Sequence, residues 1–282
     1  MIFAKAELRG YDTDKVCRMI EVSRSEYYRK NKQTESERSL EEKEVINCFN
    51  GNHGNYGRIR IRKALLEIGL DISEYRIARI LSKNGLFAKS GRSGKHKVAK
   101  PTEEKYIEEN LIRDKFSVKE VNYLWCSDIT ELAYKGGKMY VCGIIDVATR
   151  RLVGWSVAKH QRQELVQCSI RMAVGRNTVR PEGAVFHSDR GCQYTAKKTK
   201  ELVESYGFRK SMSRPGTPSD NQPIESFWHT LEVELPSTRG LAFSDAARTV
   251  VNYIELYYNS ERIHSGIDYC TPNQFLTLLS VH

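Results

Sequence analysis

No stretch of this 282-residue chain stays apolar for the roughly 18–20 residues that cross a bilayer, which excludes a membrane-spanning helix. The first residues, MIFAKAELRGYDTDK, hold no hydrophobic signal region, so no secretory route is expected. Cysteine occurs seven times, but the count is odd and no two stand as Cys-x-x-Cys. Neither a disulfide framework nor a structural zinc site is expected, and each cysteine reads as a small buried hydrophobe in a reducing cytoplasm. Hydrophobic residues make up 40% and charged residues 28%, a balance that argues for a packed core and against disorder.

Acid is scarce in one place. Residues 51–100 hold three acidic residues (Glu67, Asp71, Glu74) against twelve basic ones, a net of +9 out of +10 for the whole chain. Residues 1–50 balance at ten and ten, and the last 182 residues are nearly neutral. A localised basic block suits a phosphate backbone; a solvated basic surface is the alternative.

The pattern inside the block favours two short helices joined by a tight turn. Ile61, Leu65 and Ile68 recur at helical spacing with Gly69 as a C-cap. Ser73 caps a second helix with Ile77, Ile80 and Leu81 on one side and Arg76, Arg79 and Lys83 on another. This describes a helix-turn-helix, with a plain helical hairpin as the alternative. Upstream, residues 12–30 read as two short helices, the second capped by Ser23 and Glu26. Downstream, Ser90–Pro101 reads as a flexible basic linker that includes Arg92, Lys95 and Lys97, followed by a connecting helix from Thr102 to Phe116. The expected division is an N-terminal helical segment over 1–50, the DNA-binding region over 51–88, linker and helix over 89–119, and a catalytic core over 120–282.

In the last part, Tyr123–Leu132, Lys138–Thr149 and Arg151–Ala158 are β-rich runs, with Gly136-Gly137 at the first hairpin turn. Helices at Arg162–Ala173 and Ala196–Tyr206 alternate with strands at Ala184–His187 and Phe208–Met212. Two last helices run near Asn221–Leu235 and Asp245–Tyr258. This order predicts an α/β domain with a mixed sheet and flanking helices, preceded by a small all-α region.

Three acids stand where acids are awkward: Asp128 within an apolar strand, Asp189 at the end of another, and Glu225 early in a helix. Taken singly, each is explained as a turn residue, a cap or a partner of the helix dipole. Together, near strand ends, they suit hard divalent cations that activate a nucleophile and stabilise a leaving oxygen in phosphoryl transfer.

The spacing, 60 residues between Asp128 and Asp189 and 35 between Asp189 and Glu225, comes with flanking words. These are Asn122-x-x-Trp125-x-x-Asp128-Ile129-Thr130, His187-Ser188-Asp189-Arg190-Gly191-x-Gln193-Tyr194, Ser211-x-Ser213-Arg214, and Asp220-Asn221-x-x-Ile224-Glu225-Ser226-Phe227. Tyr258-Asn259-x-x-Arg262-x-His264 and Thr271-Pro272 close the set. The pattern resembles the insertion-sequence transposases of family three, in the second-frame form, whose core is the retroviral-integrase type of ribonuclease H-like domain. Ser219 and Gln222 depart from the family's usual aromatic and alanine.

The resemblance implies a five-stranded ribonuclease H-like sheet and Asp128, Asp189 and Glu225 as catalytic metal ligands. It implies two Mg²⁺ ions per site, with Mn²⁺ as a substitute. The implied reaction is cleavage at the 3′ ends of a mobile element followed by strand transfer. The implied partners are double-stranded DNA (terminal inverted repeats and target), further copies of the chain as a dimer or higher, and a first-frame protein as fusion or partner. Zinc is not expected, because His53, His96, His160, His229 and His282 form no two-His, two-Cys pattern. The expected location is the bacterial cytoplasm, with the nucleoid and without a membrane. Arg58, Arg60, Arg76, Arg79, Lys83, Arg92, Lys95, Lys97, Arg190, Asn221, Arg214, Arg262 and His264 are the candidate DNA contacts. A decayed, non-enzymatic DNA-binding regulator and a ribonuclease H-like nuclease are the competing readings.

Overall fold

In a computed structural model, the described residues are 13–19, 21, 23–25, 35–89, 108–112, 116, 118–177, 179–215 and 217–280. The chain divides into two compact units, Met1–Ala88 and Lys89–His282. Among the described residues no helix is long and apolar enough to cross a membrane.

The first unit holds α1 (Thr13–Met19), α2 (Glu35–Gly51), α3 (Arg58–Glu67) and α4 (Glu74–Lys83). Helices α2, α3 and α4 each pack on the other two. Val45, Phe49, Tyr56, Ile61, Leu65, Ile77, Ile80 and Leu81 are buried there. The Ser73 side chain accepts from the Arg76 amide at 3.3 Å and so caps α4. Helix α3 stops one residue short of the expected apolar stripe. Ile68 is 64% exposed, because Gly69 at φ +81° turns the chain and Leu70 N–H bonds back to the Leu65 carbonyl at 2.9 Å. Helix α2 supplies a third helix within the segment that the charge tally left featureless. The expected cap at Glu26 and its helix to Lys30 lie outside the described residues, as does the linker Ser90–Pro101.

The second unit is built on a five-stranded sheet: β1 (Leu124–Tyr134), β2 (Gly137–Asp146), β3 (Leu152–Ala158), β4 (Val185–Ser188) and β5 (Arg209–Met212). Its order is β3-β2-β1-β4-β5, antiparallel across the first three strands and parallel from β1 to β4 and β5. Strand alternation sends Leu124 and Cys126 to one face and Trp125 to the other. The first face is covered by α8 (Gln222–Glu234), α9 (Phe243–Asn252) and a π-helical turn, Tyr253–Tyr258. The second is covered by α5 (Gln163–Arg176), the short α6 (Cys192–Thr195) and α7 (Lys197–Ser205). A last helix, α10 (Pro272–Ser280), was not expected.

The connecting helix expected over Thr102–Phe116 is absent from its described part, Glu108–Ile112. There the backbone is claimed by side chains instead. Leu111 N–H donates to Ser211 Oγ at 3.0 Å, and Ile112 N–H to Asn110 Oδ1 at 3.0 Å. A helix would need those donors for its own turns.

Candidate active site

Parallel pairing of β1 with β4 sets the first two acids side by side. Ser127 is the register partner of Ser188, so Asp128 and Asp189 each follow one member of the last paired step of these two strands. β4 ends at Ser188, and Asp189 begins the turn beyond it. Its Oδ1 accepts from Gly191 N–H at 2.9 Å. A Cβ on Gly191 would stand 3.0 Å from that same oxygen, so the glycine lets the carboxylate close its own turn.

Glu225 lies in the first turn of α8, which enters through a 3₁₀ turn, Pro218–Asn221. Asn221 Nδ2 donates to the Ser127 carbonyl at 3.0 Å, which brings the start of α8 to the Asp128 strand. One turn further, Trp228 Nε1 donates to Asp128 Oδ2 at 3.0 Å. The indole needs room over β2, and Gly143, the register partner of Asp128, provides it. A Cβ there would meet the Trp228 ring at 2.8 Å.

The three acids act on one another electrically. Burial pushes the Asp128 carboxyl well above the usual carboxylate range, and the charges of Asp189 and Glu225 push it further. The hydrogen bond from Trp228 pulls the other way and does not prevail.

Around this group the flanking words form supports. Asp220 is fully buried and accepts from Asn110 Nδ2 at 2.9 Å and from the Arg214 backbone at 2.7 Å. It also accepts from the Arg214 guanidinium, Nε at 3.0 Å and Nη2 at 2.6 Å. His187 is buried between Ser211 and Ser213, at 2.8 and 3.1 Å, and burial lowers it to about 4. It is neutral at physiological pH.

The candidate DNA contacts fare unequally. Arg190 Nε is tied to the Ser213 carbonyl at 2.8 Å, beside Asp189. Arg214 turns its guanidinium onto Asp220. Two of them are buried within the chain. Asn221 is 3% exposed and holds the Ser127 carbonyl, and Arg262 is 4% exposed and grips Glu234 through Nε and Nη2. His264 stacks edge-on against Tyr258 at 4.8 Å and lies beside the Arg262 guanidinium. Asn259 bonds both the amide and the carbonyl of Leu152, each at 3.0 Å. The word Tyr258-Asn259-x-x-Arg262-x-His264 is therefore an internal staple between the sheet edge and α8.

In the first unit the basic stripe of α4 is partly balanced by α2. Arg76 pairs with Glu41 at 2.6 Å and Lys83 with Glu42 at 2.9 Å. Arg58 pairs with Glu74, and Arg60 lies over the Tyr56 ring. Arg79 is exposed on α4. Arg92, Lys95 and Lys97 fall outside the described residues. Sequence reasoning missed Ser127, Gly143 and Trp228 as neighbours of Asp128. Trp228 registered only as apolar, although an indole N–H near a carboxylate was a legible signal.

Comparison with known proteins assigns both units to known families. Residues 118–218 and 206–272 match families described as integrase core domain, and residues 35–94 match an HTH-like domain. The transposase for insertion sequence element IS904 of Lactococcus lactis subsp. lactis (strain IL1403) is 33% identical over 88% of this chain and 98% of its own. Transposase InsF for insertion sequence IS3A of Escherichia coli (strain K12) is 29% identical over 97% of each. Among solved structures, the catalytic core domain of BIV integrase aligns over 57% of this chain and 97% of its own, at 18% identity and a TM-score of 0.39. With a relative this similar matched along nearly its whole length, and an integrase core following an HTH-like unit, the chain belongs to the insertion-sequence family three transposases and is a DNA transposase.

Proposed function

We propose that this transposase cleaves DNA at the 3′ ends of an insertion sequence and joins the freed 3′-hydroxyls to target DNA, with Asp128, Asp189 and Glu225 as metal ligands. The observation that carries this reading is the convergence of three carboxylates, one within β1, one just past the end of the parallel neighbour β4 and one in the first turn of α8, a helix bonded to β1 through Asn221 and Trp228. Uncompensated acids so placed are costly.

The donor set suits a hard divalent cation. Besides the carboxylates, Asn221 Oδ1 is buried with no hydrogen-bond partner among the described residues. It is an acceptor beside the Asp128 strand that a cation's water would satisfy. Among the described residues no group of three His, Cys, Asp or Glu side chains stands close enough together to hold a metal ion as it is. Mg²⁺ takes only a few carboxylates and completes its shell with water and phosphate oxygen, so it would draw the three acids together on binding. When bound, two Mg²⁺ ions, or Mn²⁺ in their place, supply nucleophile activation and leaving-oxygen stabilisation.

The chain's own residues hold that geometry. Trp228 fixes one oxygen of Asp128 and so orients the other. The Gly191 amide does the same for Asp189. In the first step water attacks the phosphorus at the element's end and the 3′-oxygen leaves with a proton. In the second, that 3′-hydroxyl attacks a target phosphodiester and displaces the target's 3′-oxygen. No side chain becomes bonded to DNA. The terminal inverted repeats and the target are the DNA partners, held by a dimer or larger assembly. A first-frame protein acts as fusion or partner, in the bacterial cytoplasm with the nucleoid.

Terminal-repeat DNA incubated with the chain and Mg²⁺ is expected to be nicked at the 3′ end, and a chelator is expected to stop it. Nicking that persists without divalent cation overturns the reading. DNA binding without nicking under any divalent cation returns the chain to a non-enzymatic regulator.

A separate expectation concerns the first unit. Arg76 and Lys83 are engaged by Glu41 and Glu42, whereas Arg79 is exposed. Arg79→Ala should lower the slope of log affinity against log salt by about 0.9 if it neutralises one phosphate. Arg76→Ala should lower it less. Equal slopes for wild type and Arg79→Ala would leave this residue as solvated surface.

A further inference from the structure

We propose that Ser127 is a positioning residue that locks the three acid-bearing segments in register, an inference that rests on the metal-site reading above. Ser127 precedes Asp128 on β1 and is fully buried. Strand alternation turns its side chain to the face opposite Asp128, the face covered by α6.

Besides a weak contact of its hydroxyl with Cys142 Sγ at 3.7 Å, three bonds meet on this one residue. Its hydroxyl donates to the Gly143 carbonyl at 3.0 Å. That commits its only proton, so it accepts from the Tyr194 hydroxyl at 2.9 Å. Tyr194 lies on α6, five residues after Asp189, and is 1% exposed. Its carbonyl in turn accepts from the buried Lys210 amine on β5. The Ser127 carbonyl accepts from Asn221 Nδ2, four residues before Glu225. Asp189's turn is thus tied to Ser127 from one side of the sheet, and Glu225's helix from the other. Gly143, beneath Trp228, completes the link to Asp128 Oδ2.

Such a joint sets where the acids stand relative to one another without touching DNA or metal. Misplacement of ligands by fractions of an ångström degrades a phosphoryl-transfer site while binding persists. The residue type is demanding here. Alanine removes the side-chain donor to the Gly143 carbonyl and leaves the Tyr194 hydroxyl with only the weak Cys142 sulfur at 3.7 Å, in a buried site.

The test is a double-mutant cycle of Ser127→Ala and Tyr194→Phe in the full chain, read by terminal-DNA nicking and by amide hydrogen exchange. Each single variant is expected to lower kcat about tenfold with KM and end-DNA affinity unchanged, and the pair to lower it no further. Exchange over residues 189–195 is expected to quicken in both variants, with α2–α4 unchanged. Unchanged kcat in either single variant, or effects that multiply in the double, overturns the joint. A fall in end-DNA affinity in proportion to kcat assigns the effect to general unfolding and also overturns it. If the wild-type chain shows no metal-dependent nicking, the metal-site reading falls on its own account. Exchange alone then decides the joint, and unchanged exchange over 189–195 sinks it.

Discussion

Asp128→Asn is expected to lower terminal-DNA nicking by about 10³-fold or more while leaving DNA affinity unchanged. The amide matches the carboxyl in shape and still accepts from Trp228, so packing around β1 is kept. What is lost is the charge that a divalent cation needs. Asp189→Asn and Glu225→Gln should fall as far, since Asp189 Oδ1 keeps its bond from Gly191 in the amide form. Metal-free stability should move the other way. Each of those two changes removes a negative charge that acts on Asp128, so the melting temperature should rise without Mg²⁺. Loss of activity with gain of stability is the signature of acids kept for chemistry. Any one of the three variants that still nicks and joins DNA removes that acid from the site.

The second large effect lies far from DNA. Arg262→Ala is expected to cost about 3–5 kcal/mol of unfolding free energy, because it leaves a buried carboxylate without its partner. Arg262 and Glu234 side chains are 4% and 5% exposed and meet at 2.8 Å. Tyr253 also donates to Glu234 at 2.9 Å, which does not neutralise it. Replacing the whole group, Glu234→Leu with Arg262→Met and Tyr253→Phe, should recover most of the loss, since an apolar set of similar volume leaves no buried charge or hydroxyl unpaired. Urea midpoints of the two variants decide the matter. A loss under about 1 kcal/mol in Arg262→Ala, with weaker DNA binding, would restore Arg262 as a DNA contact.

This contrast marks what the residues disclosed and what they concealed. Strand runs rich in β-branched and aromatic residues located β1 to β5 within a few positions, because the apolar content of strands buried on both faces is written locally. The acids were legible together, through their spacing and the words that flank them, and not singly. The burial of Arg262 and Asn221 was concealed. A charged or amide residue near a loop reads as surface, and only the folded chain brings Glu234 or the Ser127 carbonyl to it. Helix α2 was concealed similarly. Its five acids against two bases vanish in the even tally of residues 1–50, while Glu41 and Glu42 have partners 35 and 41 residues downstream in Arg76 and Lys83. The missing helix at Glu108–Ile112 had helical composition but lost its donors to Ser211 and Asn110.

The parallel pairing of β1 with β4 has a consequence for timing. Antiparallel neighbours such as β1 and β2 meet across a tight turn, but β1 must wait for β2, β3 and α5 before β4 exists to pair with it. Glu225 arrives later still. Contacts among α2, α3 and α4 span only neighbouring stretches of chain and close early in synthesis. A ribosome that has released residues 35–88 has therefore finished the helical unit, while the carboxylates remain scattered until almost the last helix emerges.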